Sequence, residues 1–469
     1  MSTSLPTFTF ESTADEVATA LADNIKGKNV LITGTSLNGI GFEAARVIAN
    51  RILYYTSDSP TPNMSTLPTF TFESTADEVA IALADNIKGK NVLITGTSLN
   101  GIGFEAARVI AKYANLVIIT GYNDQRQVPF LTLQVFLPLK ALASLKLSEA
   151  AIKQETPSAN IRRLTLDLSS LAAVRKAAAE VNTYPEPHID VLIHNAAAAV
   201  GPFKLTADGF ESQMATSFIG PFLLTKLIAP KLLSASAKSG STPRVVYLSS
   251  MAHVFGPGVT VTLDLLKKPD AGRYNAVTAY AEAKAAAILT AAEISRRSKG
   301  KILGFSLHPG VIHTNINQAP DAIPVMQSVG ILTPRGVRSE DRAHRRLHVK
   351  ATRVTRRVAL SPTHLRRLPN AVYSKLKHGK LPATARRRRR ASTPHSEHED
   401  FNWKTIEQGA ATTITAAFDP RIESAPGAYL DDSNVATDKV VAQTSSLDPV
   451  AASELWITTE ELVGEKFEF

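Results

Sequence analysis

Cysteine is absent from all 469 residues, which excludes disulfides, thiolate nucleophiles and cysteine-ligated zinc and fits a reducing compartment such as the cytoplasm. Residues 1–26 mix Ser, Thr, Glu and Asp and lack the basic start and apolar stretch of a secretory leader. Long apolar runs are missing too. The longest, Val128 to Leu139, has twelve residues broken by Pro129 and Pro138, short of the about 20 needed to cross a bilayer. A soluble protein without a transmembrane segment is therefore expected. His253, His308 and His313 come without metal-ligand spacing and read as polar groups of loops and strand ends, so no metal is expected.

Basic charge is concentrated in one place. The formal net charge is +10, yet residues 335 to 399 hold 19 Lys or Arg against 4 Asp or Glu, a net +15 that leaves the remainder at −5. The basic tract, with Arg386 to Arg390 unbroken, is expected to be disordered by self-repulsion. Clustered arginines are also a nucleic-acid or acidic-partner signature, but no aromatics interleave them, so nucleic acid is the weaker reading.

Apolar residues make up 44% of the chain, enough for a sizeable core. Leu5 to Ala49 recurs as Leu67 to Ala111 with one difference, Thr19 against Ile81, which indicates a recent duplication or a misjoined coding sequence rather than a stacked repeat. The first copy runs into a Ser, Pro and Thr-rich linker at Arg51 to Asn63 and the second into the strand-like Leu116 to Thr120. Only the second copy is expected to join a sheet. Residues 1–63 should be loosely attached or compete for the first-strand position.

Strand patterns at Val92 to Thr95, Leu116 to Thr120, Arg163 to Asp167, Val191 to His194, Val245 to Leu248, Leu303 to Leu307 and Ala428 to Leu430 alternate with helical stretches. The pattern predicts an α/β fold, a Rossmann-type doubly wound parallel sheet in one catalytic domain with ligands beyond the strand ends. That domain is expected over 64–334 and 400–469, interrupted by an apolar insertion at 127–144 and the basic one at 335–399.

Two patterns carry chemistry. Thr95 to Gly103 reads Thr-Gly-Thr-Ser-Leu-Asn-Gly-Ile-Gly between a strand and a helix. There Gly96 avoids a side-chain clash, Gly101 admits a pyrophosphate, Gly103 allows close helix packing, and the helix amides face the anion. Tyr280 and Lys284, four apart in an Ala-rich run, share one helix face. A nearby ammonium is expected to lower the phenol from its usual pKa of about 10 and make it a proton donor or acceptor. Ser250 ends a strand thirty residues earlier and can bond the same substrate oxygen. Tyr373 and Lys377 repeat the spacing by chance within the basic tract.

These markers, with Asp167-Leu168, His194-Asn195-Ala196-Ala197, Ser249-Ser250 and His308-Pro309-Gly310 followed by Thr314, resemble the short-chain dehydrogenase/reductase family, in its retinol-dehydrogenase-like branch. The resemblance implies that Gly96, Ser98, Asn100, Gly101, Ile102 and Gly103 bind the dinucleotide phosphates. It implies that Asp167 and Leu168 meet adenine and that Asn195 supports the strand beside the cofactor. By the same resemblance Tyr280 transfers the proton, Lys284 holds the nicotinamide ribose, Ser250 steadies the reacting oxygen, and Pro309, Gly310 and Thr314 flank the nicotinamide. The family's catalytic asparagine falls at Ser217, a shorter hydroxyl that must hold the proton-relay water. The turn is one residue longer than the common form.

Cofactor choice rests on the end of the second strand. Thr120-Gly121-Tyr122-Asn123 offers no carboxylate for the ribose hydroxyls of NAD, whereas Arg126 is placed to meet a 2′-phosphate, so NADP is favoured over NAD. The expected substrate is a small alcohol or carbonyl, with apolar pocket positions pointing to a lipophilic one; a homo-oligomer is open. The competing reading is a cofactor-binding protein without turnover.

Overall fold

The computed structural model describes residues 67–122, 145–198, 200–254, 261–314, 322–328, 402–436 and 448–469. The chain divides into residues 1–319 with 403–469 and a second unit, residues 320–402, of which the described part is the short helix Ala322–Ser328 and Asn402. The first copy of the duplicated segment, Arg126, the 127–144 insertion, the basic tract and the Tyr373–Lys377 repeat all lie outside the described residues.

Eight strands form one sheet in the order β10-β9-β6-β5-β4-β1-β2-β3. They are β1 (Asn91–Ile94), β2 (Leu116–Gly121), β3 (Ile161–Thr165), β4 (Val191–His194), β5 (Arg244–Leu248), β6 (Leu303–Leu307), β9 (Tyr429–Asp431) and β10 (Asn434–Val435). All pair in parallel except β10, which returns antiparallel on β9. The two-residue strands β7 (Val311–Ile312) and β8 (Trp403–Lys404) pair separately. The doubly wound sheet expected from the sequence is present, and its first strand comes from the second copy.

Period-two alternation divides the core between the two faces. Leu93, Leu116, Ile118 and Leu192 face one hydrophobic cluster, while Val92, Ile94, Val117, Val191 and Ile193 face the other. On the first face lie helices α4 (Leu171–Asn182), α5 (Gly220–Ser239), α6 (Ala276–Arg297) and α8 (Pro449–Val463). The second is covered by α1 (Ala76–Ala82), α2 (Ile102–Ile110), α3 (Leu145–Glu155) and α7 (Ile406–Phe418). Caps fix where several begin. Thr75 with Glu78, and Thr405 with Gln408, form capping boxes on α1 and α7, and the Asn275 side chain accepts from Val277 and Thr278 to start α6.

The third strand sits two residues earlier than its apolar pattern suggested. Pairing with β2 runs from Val117 with Ile161 to Gly121 with Thr165, so β3 stops where its neighbour stops and Asp167 falls in the following loop. Among the described residues one stretch, Ser212–Ala237, is long and apolar enough to cross a membrane by length and composition, and most of it is buried in the fold.

Candidate active site

The strand order reverses beside β1, whose neighbours are β2 on one side and β4 on the other. The crevice beyond the carboxyl ends of β1 and β4 is therefore where an open parallel sheet receives a ligand. Gly96 turns the chain there with φ of +72°, and a Cβ on it would stand 2.8 Å from Ala196. A Cβ on Gly103 would come 2.3 Å from Asn195 Nδ2 and 2.6 Å from the Gly96 carbonyl. Both positions need the absence of a side chain. Asn195 secures the turn, its Nδ2 donating to the carbonyls of Thr95 at 2.9 Å and Gly96 at 2.8 Å. Gly101 precedes α2 with no side-chain cap, so the amides of the first turn point outward as an anion site. Asn100 takes φ of +59° in the same loop, Ser98 lies between it and Gly96, and Ile102 heads the helix.

Asp167 turns inward on its own loop, where Oδ1 accepts from the Ser169 amide and hydroxyl. The Leu168 side chain is buried in the core, and its carbonyl packs against Gly220, where a Cβ would stand 2.2 Å from the oxygen. Thr120 spends its hydroxyl on the Gly96 amide at 3.2 Å. Tyr122 at the end of β2 is exposed.

The second half of the site is built on β5 and α6, which are stitched together reciprocally. The Ser249 hydroxyl donates to the Lys284 carbonyl at 2.8 Å, and Lys284 Nζ donates to the Leu248 carbonyl at 2.8 Å. This lock sets Ser250, at the end of β5, beside Tyr280 on α6. Burial raises the Tyr280 phenol above its ordinary value, and the Ser250 hydroxyl beside it pulls the other way. The lowering expected from Lys284 is thus not the governing effect. The ammonium is spent on Leu248 and stands 5.5 Å from the phenol ring centroid; burial also draws the lysine down to about 8.

Ser217 lies in a π-helical turn, Ala215–Ile219, between Ser212–Met214 and α5, and its hydroxyl is buried without a hydrogen-bond partner. A π turn widens the helix by one residue and re-aims side chains, as often happens at functional sites. The turn packs against α6. On the opposite flank Pro309, Gly310 and Thr314 follow β6, with Gly310 at φ of +96° against the Lys404 stem. Lys404 pairs with Asp432 at 2.6 Å.

Three residues that the sequence pattern did not single out as functional belong to this region. Ser249 makes the lock described above. His253 brings Nδ1 to 2.6 Å from the Ser250 carbonyl, and Tyr429 packs its ring against His253. His308 Nδ1 accepts from the Met251 amide at 3.3 Å, and His313 stacks on Trp403 at 3.7 Å. No cluster of metal-ligating side chains occurs among the described residues. Next to the site, Phe203, Phe210, Met214, Ile219, Leu266 and Tyr274 line a mainly apolar cleft, with Glu211, Asp270, Arg273 and Glu282 also in its lining, that reaches Thr278 and Ala279. Neither Ser250 nor Tyr280 lines it.

The sequence profile of the short chain dehydrogenase family matches residues 134–261. Short-chain dehydrogenase TIC 32 B, chloroplastic, of Brassica napus is 29% identical over 394 residues, covering 83% of this chain and 93% of that protein. Human retinol dehydrogenase 13 is 33% identical over 236 residues, covering 50% of this chain and 62% of its own length. Among solved structures, an NADPH-bound carbonyl reductase from chicken fatty liver is 17% identical with a TM-score of 0.42, covering 75% of this chain and 99% of that one.

Proposed function

We propose that this chain, a member of the short-chain dehydrogenase/reductase family on its retinol-dehydrogenase-like side, is an NADP-dependent enzyme interconverting an alcohol and a carbonyl, with Tyr280 as acid and base. The single observation that carries the proposal is the meeting of the Ser250 hydroxyl with the Tyr280 phenol at the carboxyl end of the sheet, where the glycine turn also lies.

The turn fits a dinucleotide. Two glycines stand where a Cβ would collide, and an uncapped helix N-terminus supplies donors for a pyrophosphate. Thr120, Gly121 and Tyr122 at the end of β2 carry no carboxylate, which favours a 2′-phosphorylated ribose; Arg126, outside the described residues, would be its cation. When bound, the nicotinamide supplies the hydride. Ser250 then holds the substrate oxygen and Tyr280 gives it, or takes from it, the proton. Lys284 lies against the phenol ring and is placed for the ribose hydroxyls, with its charge weakened by burial. Ser217 would hold the water that replenishes the proton. The apolar cleft beside the start of α6 favours a lipophilic carbonyl.

The test is purified protein with NADPH and a panel of lipophilic aldehydes and ketones. Tyr280→Phe is expected to lower kcat on the order of 100-fold or more while NADPH affinity stays within about threefold. Activity that survives the substitution removes Tyr280 from the mechanism. A second reading, cofactor binding without turnover, is favoured by the unpartnered Ser217 hydroxyl. Tight NADPH binding with no oxidation across the panel would establish it.

A further inference from the structure

Beneath the Ser250–Tyr280 pair, two buried aromatic side chains carry hydrogen-bonding atoms that the protein leaves unused. His253, in the 3-10 turn Met251–Val254, is 0% exposed. Its Nδ1 stands 2.6 Å from the Ser250 carbonyl. A carbonyl only accepts, so Nδ1 carries the proton and Nε2 is left with a lone pair; burial keeps the ring neutral by lowering its pKa, against the Ser250 carbonyl. Nε2 is buried without a partner, and so is the hydroxyl of Tyr429, which is 3% exposed on β9. The two rings meet edge to face with centroids 4.9 Å apart.

An acceptor and a donor left unpaired in the same buried layer are each penalised by about 1–3 kcal/mol. Pairing them with one another relieves both. Tyr429 is also placed to feel the reacting group, since it packs on Ile288 along the α6 face that carries Tyr280 and Lys284, and it lies within electrostatic reach of Tyr280.

We propose that His253 and Tyr429 are a positioning pair for Ser250. The Tyr429 hydroxyl donates to His253 Nε2, through a small displacement of the side chain or one bridging water, and so holds the imidazole as the Nδ1–H tautomer. That tautomer pins the Ser250 carbonyl, and with it the hydroxyl on the same residue, whose oxygen accepts from the Ala252 amide at 3.2 Å. A shift of about 1 Å at such a group is enough to lower a rate on the order of 100-fold. The consequence for rate rests on the oxidoreductase reading, whereas the tautomer does not.

The full-length protein is assayed with NADPH and the carbonyl panel, and labelled with nitrogen-15 histidine for NMR. His253→Phe keeps a ring but cannot donate, and kcat is expected to fall on the order of tenfold with the NADPH dissociation constant unchanged. His253→Asn, with an amide nitrogen where Nδ1 stood, is expected to recover most of that rate, which a purely space-filling role would not allow. Tyr429→Phe is expected to lower kcat by roughly threefold. The His253 resonance, identified by its loss in His253→Asn, is expected to be the neutral Nδ1–H tautomer at pH 7 and to shift at Nε2 in Tyr429→Phe. An Nε2–H tautomer or an imidazolium at pH 7 overturns the pair. So does wild-type kcat in His253→Phe where activity depends on Tyr280. If the wild type turns over no carbonyl, the oxidoreductase reading fails, and the tautomer measurement still decides the pair.

Discussion

Lys284 shows at the residue scale how the site is set against the fold. It is 4% exposed, its ammonium donates to the Leu248 carbonyl, and burial draws that ammonium down to about 8 from the ordinary 10.5. A folded pKa below the unfolded one means that between about pH 8 and 10.5 the unfolded chain binds the extra proton. The charge therefore destabilises the fold fully below about pH 8, and the destabilisation fades as the pH rises toward 10.5. The shift corresponds to on the order of 3 kcal/mol, larger than most single side chains contribute. Lys284→Met is accordingly expected to be more stable than the wild type at pH 7, by several degrees in Tm, with the gap narrowing by pH 10. It should also bind NADPH about tenfold more weakly, because the ribose loses a cationic donor. Thermal melts at the two pH values, with a nucleotide titration, check both. A variant less stable at both would mean that the bond to Leu248 outweighs the desolvation of the charge.

Elements differ in how plainly the sequence shows them. β1, β2, β4, β5 and β6 are apolar runs in one parallel sheet, and a strand buried on both faces writes itself as a continuous hydrophobic stretch. The end of β3 is set by its partner's end at Gly121, so the apolar Leu166 reads as strand when it is already loop. Strands β7, β8 and β10 have two residues each, too short for any period. The glycine turn and the spacing of Tyr280 and Lys284 are local patterns and were legible. The contacts of Ser249 with Lys284 and of His253 with Tyr429 join residues 35 and more positions apart, and no local pattern encodes them. The π turn is similar, since the sequence marks Ser217 but not the widened helix that leaves its hydroxyl buried and unpaired. A longer side chain with both a donor and an acceptor can reach farther from the same backbone. Ser217→Asn is therefore expected to raise kcat by about tenfold, the scale of a positioned proton relay, with nucleotide affinity unchanged. Stopped-flow turnover and a binding titration separate this from simple overpacking, which would lower both stability and rate.

At the scale of the whole molecule, the duplication gives the chain two copies of one building block. The position at which they differ is Thr19 against Ile81, and Ile81 is 64% exposed on α1. Every residue that the second copy buries, from Phe70 to Ala111, has an identical counterpart in the first, so packing does not distinguish them. What does is the connection to β2. From the second copy it is residues 112–115, and from the first it would be residues 50–115, a loop-closure difference of about 2.5 kcal/mol. The second copy should hold the sheet by a factor on the order of 10 to 100, and deleting residues 1–63 should change neither Tm nor NADPH affinity measurably. Gly103→Val reverses the balance, because its side chain strikes Asn195 and the Gly96 carbonyl, a clash worth more than the loop term. Full-length protein with Gly103→Val is then expected to keep NADPH binding through the first copy, whereas the same substitution in a chain lacking residues 1–63 abolishes it. Equal loss in the two backgrounds would show that the first copy cannot enter the sheet, and hence that more than the buried residues and the length of the connection sets which copy folds.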